Sequence, residues 1–154
     1  MRMVEVNNAG GRFDGSDFLW PVRVYYEDTD AAGIVYHSNY LKFAERARTE
    51  LIRALGNDHH ALRRQFGIAF VVSKCDMHCR LPARLDDLVE VRTAKNGLGA
   101  ATLDLQQNIW RDDEEIVRLR VLLACIDDTG RAVRIPADVR RRLADWEQEP
   151  SRKP

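Results

Sequence analysis

The sequence lacks several features that would assign it to a class at once. No apolar run approaches the roughly 20 residues needed to cross a bilayer, and the first 17 residues lack the apolar stretch of a secretory signal. Neither sign of charge is in excess, because 24 lysine and arginine residues balance 24 aspartate and glutamate residues. A neutral chain has no overall field to hold DNA or RNA, which argues against a nucleic-acid partner.

Cysteine is also scarce, and the odd count of three fits free thiols in a reducing compartment. We therefore expect a cytoplasmic protein. Hydrophobic residues make up 45% of the 154 positions and charged residues 31%, which is the balance of one soluble globular domain. We expect a flexible leader over residues 1–17, a single domain over 18–148 and a polar tail over 149–154.

The hydrophobic periodicity predicts an α+β fold. Alternation begins a strand near Val22, and apolar residues then recur every three or four positions over 40–55, which predicts a long helix that Ser38 or Asn39 can cap. A short helix is predicted over 59–65. The apolar run 68–72 predicts a buried strand, and period-two patterns over 89–94, 101–110 and 117–125 predict three more strands.

The turns and the end of the chain complete this layout. Asn96-Gly97 is a hairpin signal, and Pro136 opens a second helix. One long helix with a wide apolar face needs a covering surface, so we expect a curved antiparallel sheet to wrap around it. The expected order is strand, long helix, four antiparallel strands and a C-terminal helix.

Chemically versatile residues are densest over positions 25–37. Asp28 and Asp30 precede Gly33 and His37, and the segment runs into the start of the long helix, where backbone N–H groups are unpaired. A carboxylate that faces such donors can attack a carbonyl group or activate water while the donors hold the oxyanion. Two alternatives remain open: a capped loop with solvated acids, and a divalent-cation site formed by Asp28, Asp30 and His37.

Several separated motifs agree, in order and spacing, with one known family. They are VRVYYEDTD at 22–30, GIVYH at 33–37, NY at 39–40, Phe43, ERARTE at 45–50, FVV at 70–72 and PARLDD at 82–87. From about Trp20 to about Pro136 the chain resembles the hot-dog thioesterases of the 4-hydroxybenzoyl-CoA thioesterase family, and within it the branch associated with the Tol-Pal gene cluster.

This resemblance implies a fold, an activity and an assembly. The fold is a long central helix wrapped by an antiparallel sheet, and the activity is hydrolysis of an acyl-CoA thioester without metal or cofactor. The family forms homodimers that join two sheets, often paired into homotetramers, with active sites at the dimer interface. An acyl carrier protein is a further candidate partner, and resemblance to the Tol-Pal branch implies at most peripheral association with the inner membrane. The alternative is a non-catalytic module that binds acyl-CoA or acyl carrier protein as a scaffold or sensor at the membrane.

The resemblance also assigns roles to individual positions. Asp30 matches the catalytic aspartate, as nucleophile or as general base, and His37 matches a histidine at the helix start whose N–H donates to the oxyanion. Tyr26 matches a tyrosine near the catalytic aspartate and is a third candidate catalytic residue. For substrate binding the expected residues are Gly33, Val35, Tyr36 and Arg84.

The chain departs from the family's pattern at two places. Ala32 stands where a second glycine is usual, and residues 75–81 lack the usual aromatic side chains, so the shape of the acyl pocket is open. Cys75, His78 and Cys79 suggest metal ligands at first sight. On a strand, however, the cysteines would lie about 13 Å apart with His78 on the opposite face, so no metal site is expected there.

Overall fold

The structure is a computed structural model that describes residues 10–146. Its elements are β1 (Arg12–Asp14), β2 (Asp17–Arg23), a 3₁₀ turn (Tyr26–Asp28), α1 (His37–Ala54), α2 (His59–Phe66), β3 (Ile68–Cys79), β4 (Leu88–Leu98), β5 (Thr102–Arg111), β6 (Glu114–Asp127) and α3 (Ala137–Asp145). The tail expected over 149–154 lies outside the described residues.

One six-stranded antiparallel sheet in the order β1-β2-β4-β5-β6-β3 forms the body of the fold. The alternation read from the sequence is present in β5, where every second side chain is buried, from Leu103 to Ile109. The apolar face of α1, which includes Phe43, Ala47 and Leu51, is buried as well. The predicted α+β layout, a long helix covered by a curved antiparallel sheet with a C-terminal helix, is confirmed.

A buried polar link ties α1 to the sheet. Gln107 is fully buried on β5, and its Nε2 donates to the carbonyl oxygen of Ala44 at 3.0 Å and to the Thr93 hydroxyl at 3.1 Å. Its Oε1 accepts from Nη1 of Arg48 at 2.9 Å. Every hydrogen-bonding atom of the amide is therefore used, which is what makes a polar side chain tolerable inside an apolar core.

The start of α1 differs from the prediction. The helix begins at His37 after Tyr36, and neither Ser38 nor Asn39 caps it. Asn39 is buried within the first turn, and its side-chain amide donates to the carbonyl oxygen of Asp28 at 3.0 Å instead. Asn39, expected to cap the helix, instead binds the helix to the preceding loop.

The predicted leader over 1–17 is wrong for its last part. Residues 12–14 form β1, which pairs with β2 through a turn at Gly15-Ser16, and β2 itself begins at Asp17. Gly15 has φ +60°, a conformation that glycine adopts without cost and that tight hairpins need. Phe13 packs on Phe18 with ring centroids 5.2 Å apart. Residues 1–9 lie outside the described part of the chain.

Two strand predictions also need correction. The run 68–72 was expected to be buried on both faces, yet β3 is an edge strand, and Val71 and Val72 are 39% and 49% exposed. Asn96-Gly97 lies inside β4 at a register shift, and the turn to β5 comes later, where the Gly99 N–H donates to the Thr102 carbonyl oxygen at 2.8 Å.

The last helix packs back on the domain as predicted. Val139, Leu143 and Trp146 are buried. Two arginines of this helix serve the fold, because Arg140 donates to the Gly99 carbonyl oxygen at 2.6 Å and Arg142 to that of Gly56 at 3.1 Å. Within residues 10–146, no helix combines the length and the apolar character that crossing a membrane requires.

Candidate active site

A tight turn fixes the direction of the Asp30 carboxylate. Its Oδ1 accepts from the backbone N–H of Ala32 at 2.8 Å, and the Gly33 N–H donates to the Asp30 carbonyl oxygen at 3.0 Å. Gly33 has φ +75°, which a side chain would strain. One carboxylate oxygen is therefore anchored, and Oδ2 of the exposed Asp30 has no hydrogen-bond partner among residues 10–146.

Asp28 serves as the anchor of this loop. Its side chain is buried, and Oδ2 accepts from the Tyr25 N–H at 2.8 Å. Its carbonyl oxygen accepts from the Tyr36 N–H at 2.9 Å and from Asn39 Nδ2 at 3.0 Å. The loop that carries Asp30 is thus bound directly to the first turn of α1.

The first turn of α1 offers free donors beside this loop. A helix leaves its first amides without a carbonyl partner four residues earlier. The Asn39 N–H is taken by the Tyr36 carbonyl oxygen at 2.8 Å, whereas no residue in 10–146 accepts from the amides of His37 and Ser38. The positive end of the helix dipole adds to these two donors, so the turn favours an anion.

Asp30 and this turn open onto one cleft of about 380 Å³. It is lined by Asp30, residues 34–37, Tyr40 and residues 79–82. Asp30 and His37 are exposed at its rim, whereas Val35 and Tyr40 are only 4% and 2% exposed and form its floor. The Asp30 carboxylate and the first residue of α1 therefore meet at one cleft with an apolar floor.

Ala83 joins the two walls of the cleft. Its N–H donates to the Tyr40 hydroxyl oxygen at 3.0 Å, and its carbonyl oxygen accepts from the Val35 N–H at 2.8 Å. Arg111 supports the same wall by donating to the Pro82 carbonyl oxygen at 2.9 Å. Burial raises the pKa of the Tyr40 phenol above its ordinary value, so the hydroxyl keeps its proton at neutral pH.

Four of the residues expected from the sequence meet in this cleft, namely Asp30, Val35, Tyr36 and His37. The other three, Tyr26, Gly33 and Arg84, are not among the described residues that line the cleft. Tyr26 is 83% exposed, and Arg84 is exposed on the segment that bridges to Ile34.

The sequence analysis missed Tyr40 as part of the site, and it connected residues 75–81 with the acyl pocket only through the family resemblance. Tyr40 lies one helical turn after His37, so it shares that side of α1, but its place in the apolar pattern made it a core residue. Nothing in the spacing of 79–82 could reveal its approach to the first turn of α1, because Tyr40 and Ala83, which are joined by a hydrogen bond, lie 43 positions apart along the chain.

The described residues do not assemble a metal centre. Asp28 turns its carboxylate inward to backbone and amide donors, away from the exposed Asp30. Cys75 and Cys79 pair with Val121 and Val117 on the inner side of the sheet, whereas His78 pairs with Arg118 on the outer side. Across residues 10–146 no group of three or more histidine, cysteine or acidic side chains is placed to hold an ion.

Comparison with known proteins identifies the family. Residues 24–143 match the sequence profile of the thioesterase-like superfamily, which spans both the Asp30 loop and the far wall of the cleft. The chain belongs to the thioesterase-like superfamily.

Individual members of the superfamily agree with this assignment. Acyl-CoA thioester hydrolase YbgC of Escherichia coli O6:H1 is 43% identical over 111 residues, which cover 71% of this chain and 82% of that protein. Acyl-CoA thioesterase YbgC of Haemophilus influenzae is 43% identical over 110 residues, covering 71% and 81%. The crystal structure of a probable thioesterase from Bartonella henselae superposes with a TM-score of 0.73 at 32% identity, covering 77% and 98% of the two chains. The fold is the hot-dog fold of these thioesterases.

Proposed function

We propose that this chain hydrolyses acyl-CoA thioesters to the free acid and CoA, with Asp30 and the first turn of α1 as its reactive groups. The observation that carries this proposal is the shared cleft, which is lined both by Asp30, whose carboxylate has one free oxygen, and by His37, whose amide is unpaired at the start of α1. Membership of the thioesterase-like superfamily makes the chain a thioester hydrolase, and relatives named for acyl-CoA support the substrate class.

Asp30 would act through Oδ2, because Oδ1 is held by the Ala32 N–H. As a nucleophile, Oδ2 bonds to the thioester carbon, the C–S bond breaks, CoA leaves as the thiolate, and water then hydrolyses the mixed anhydride. As a general base, the same oxygen takes a proton from the water that attacks the thioester carbon. Both routes use one water and yield one carboxylic acid and one CoA thiol.

The His37 and Ser38 amides would hold the negative charge that develops on the thioester oxygen. A thiolate departs more easily than an alkoxide or an amine, so little protonation of the leaving group is needed and one carboxylate with preorganised donors can suffice. The His37 ring lies beside the Tyr36 ring, with centroids 4.6 Å apart at the rim, where it can orient the substrate or the water.

The remaining predicted residues would serve substrate binding. Val35 and Tyr36 line the cleft and would contact the acyl group and the thioester, while Gly33 allows the turn that aims Asp30. Arg84, expected to bind substrate, and Tyr26, expected to be catalytic, do not line the cleft. We therefore give Tyr26 no catalytic role, and either side chain would reach only the CoA moiety as it leaves the rim. No metal or cofactor enters the proposed reaction.

A thiol-release assay on the full-length protein tests the proposed function. With a panel of acyl-CoA thioesters and an acyl-acyl carrier protein, we expect catalytic release of one thiol for each acid formed, and the panel identifies the preferred donor. Tight binding of these compounds without thiol release would contradict the proposal and favour the non-catalytic scaffold or sensor.

We propose that a second copy of the chain pairs along the free edge of β3. This strand has 12 residues and ends the sheet, and the half-exposed Val72 lies on it. A long, exposed, apolar edge strand is a ready template for another strand, and the resemblance to hot-dog thioesterases implies active sites at such an interface. Two of these dimers would form the tetramer.

Val72→Lys should convert the dimer to a monomer and lower thioesterase activity with it, because a charge on an edge strand opposes strand pairing. Light scattering after size-exclusion chromatography measures the mass. Leu88→Lys is the matched control, since Leu88 is 52% exposed on β4 away from the β3 edge. A Val72→Lys protein that remains dimeric would contradict this interface.

We also propose the branch associated with the Tol-Pal gene cluster and a cytoplasmic site of action. The motifs at 22–30 and 33–37 support the first, and the three free cysteines, which fit a reducing compartment, support the second.

A further inference from the structure

The Tyr40 hydroxyl is only half used by the protein. Its oxygen accepts from the Ala83 N–H at 3.0 Å, but a phenol also carries one proton to donate. Among residues 10–146, no acceptor lies within hydrogen-bond distance of that proton. Tyr40 is 2% exposed, and burial raises the pKa of its phenol, so the hydroxyl keeps its proton at neutral pH.

Folded proteins rarely leave a buried donor without an acceptor, because the desolvated group loses its hydrogen bond to water. The Ala83 amide occupies one side of the hydroxyl, and Ala83 is itself fully buried. Tyr40 lines the cleft, so the cleft is the space that can hold the missing acceptor.

Depth in the cleft indicates which part of a substrate meets this hydroxyl. Asp30 and His37 are exposed at the rim, where the thioester carbon must lie to be attacked. Tyr40 and Val35 form the floor, so an acyl group bound with its carbonyl at the rim extends toward them. A hydroxyl on this floor would therefore meet the acyl group and not the developing oxyanion.

We propose that the Tyr40 hydroxyl donates a hydrogen bond to an oxygen on the acyl group, so that the enzyme prefers acyl chains bearing a keto oxygen over matched unsubstituted chains. This inference rests on the proposed thioester hydrolysis and makes Tyr40 a specificity-determining residue. The apolar side chains around it, such as Val35 and Leu81, would contact the rest of the chain without competing for the hydrogen bond.

The test compares kcat/KM for hexanoyl-CoA with kcat/KM for 3-, 4- and 5-oxohexanoyl-CoA, in the wild type and in Tyr40→Phe. We expect the wild type to favour at least one oxo substrate, and Tyr40→Phe to lower that preference about tenfold, the effect of one hydrogen bond. Differences in intrinsic reactivity between substrates cancel because each ratio is compared between two proteins. A purely structural loss would slow all four substrates alike and leave the ratios unchanged.

Tyr25→Phe is the matched control, since Tyr25 is 61% exposed and outside the cleft, and it should keep the wild-type ratios. Unchanged ratios in Tyr40→Phe would overturn the inference. If Tyr40→Phe fails to fold, the wild type alone provides the test. The inference is then overturned if its preference for the oxo substrates over hexanoyl-CoA is no larger than the ratio of their rates of hydrolysis by hydroxide. Absence of thiol release from every substrate would instead refute the thioesterase function itself.

Discussion

Asp30→Asn should lower kcat for acyl-CoA hydrolysis by at least about 10³-fold, the scale on which removal of a catalytic nucleophile or base acts. Asparagine keeps the side-chain oxygen that accepts from the Ala32 N–H, so the turn and the direction of the side chain survive. What is lost is the negative charge and the basicity of Oδ2. Asp30→Ala should be equally inactive, and thermal unfolding should show that both proteins are folded.

Asp127→Asn is a closely matched control for this experiment. Oδ1 of Asp127 accepts from the N–H of Thr129, two residues later, at 2.9 Å, which is the same local turn that Asp30 makes with Ala32. Asp127 ends β6 and does not line the cleft. The Asp127→Asn protein should retain wild-type turnover. Wild-type turnover in a purified Asp30→Ala protein would refute the role of Asp30.

The second large effect concerns the backbone N–H of His37, which a substitution by proline removes. His37 is the first residue of α1, a position where proline is well tolerated because the amide has no helical partner. The residue before a proline must be extended, and Tyr36 already is, with φ −65° and ψ 130°. His37→Pro should therefore delete one proposed oxyanion donor while α1 persists.

His37→Pro should lower kcat on the order of 10²- to 10³-fold, the usual effect of removing one donor from an oxyanion hole. His37→Ala keeps the amide and loses only the ring, so we expect a loss of about tenfold, in line with one hydrogen bond. Steady-state kinetics of the two variants separate the backbone from the side chain. Equal losses in His37→Ala and Asp30→Ala would show that the ring itself is chemically essential.

His59→Pro controls for the introduction of proline at a helix start. His59 is the first residue of α2, and Asp58 before it is extended at φ −125° and ψ 169°. The substitution imposes the same backbone change away from the cleft and should leave turnover unchanged. A loss comparable to that of His37→Pro would mean that proline acts through the fold and not through the oxyanion.

The elements predicted correctly are those whose pattern is local. The periods of α1 and β5 follow from which side of each element is buried, and α2 is marked by its Gly67 C-cap. The prediction for β3 was wrong because an apolar run looks the same whether the strand lies inside a sheet or at its edge. Asn96-Gly97 was misread because this dipeptide also fits a bulge within a strand.

For the candidate site, too, the residues that were predicted lie close together in the sequence. Asp30 and His37 lie seven positions apart, so a single loop and helix start could reveal them together. The far wall at 79–82 approaches α1 only through the contacts of Ala83 with Tyr40 and Val35, which no local pattern encodes. Tyr40 was hidden for another reason, since an aromatic ring on the apolar face of a helix is most simply a core residue.

The two hydrogen bonds of Ala83 bear on how this enzyme could evolve or be engineered. They fix the course of the backbone along the far wall through main-chain atoms, independently of the side chains at 79–82. Mutations at those four positions can therefore change the shape of the cleft while the backbone of the far wall keeps its position relative to Asp30. A saturation library confined to residues 79–82 is where new acyl selectivities should emerge with the least loss of foldability.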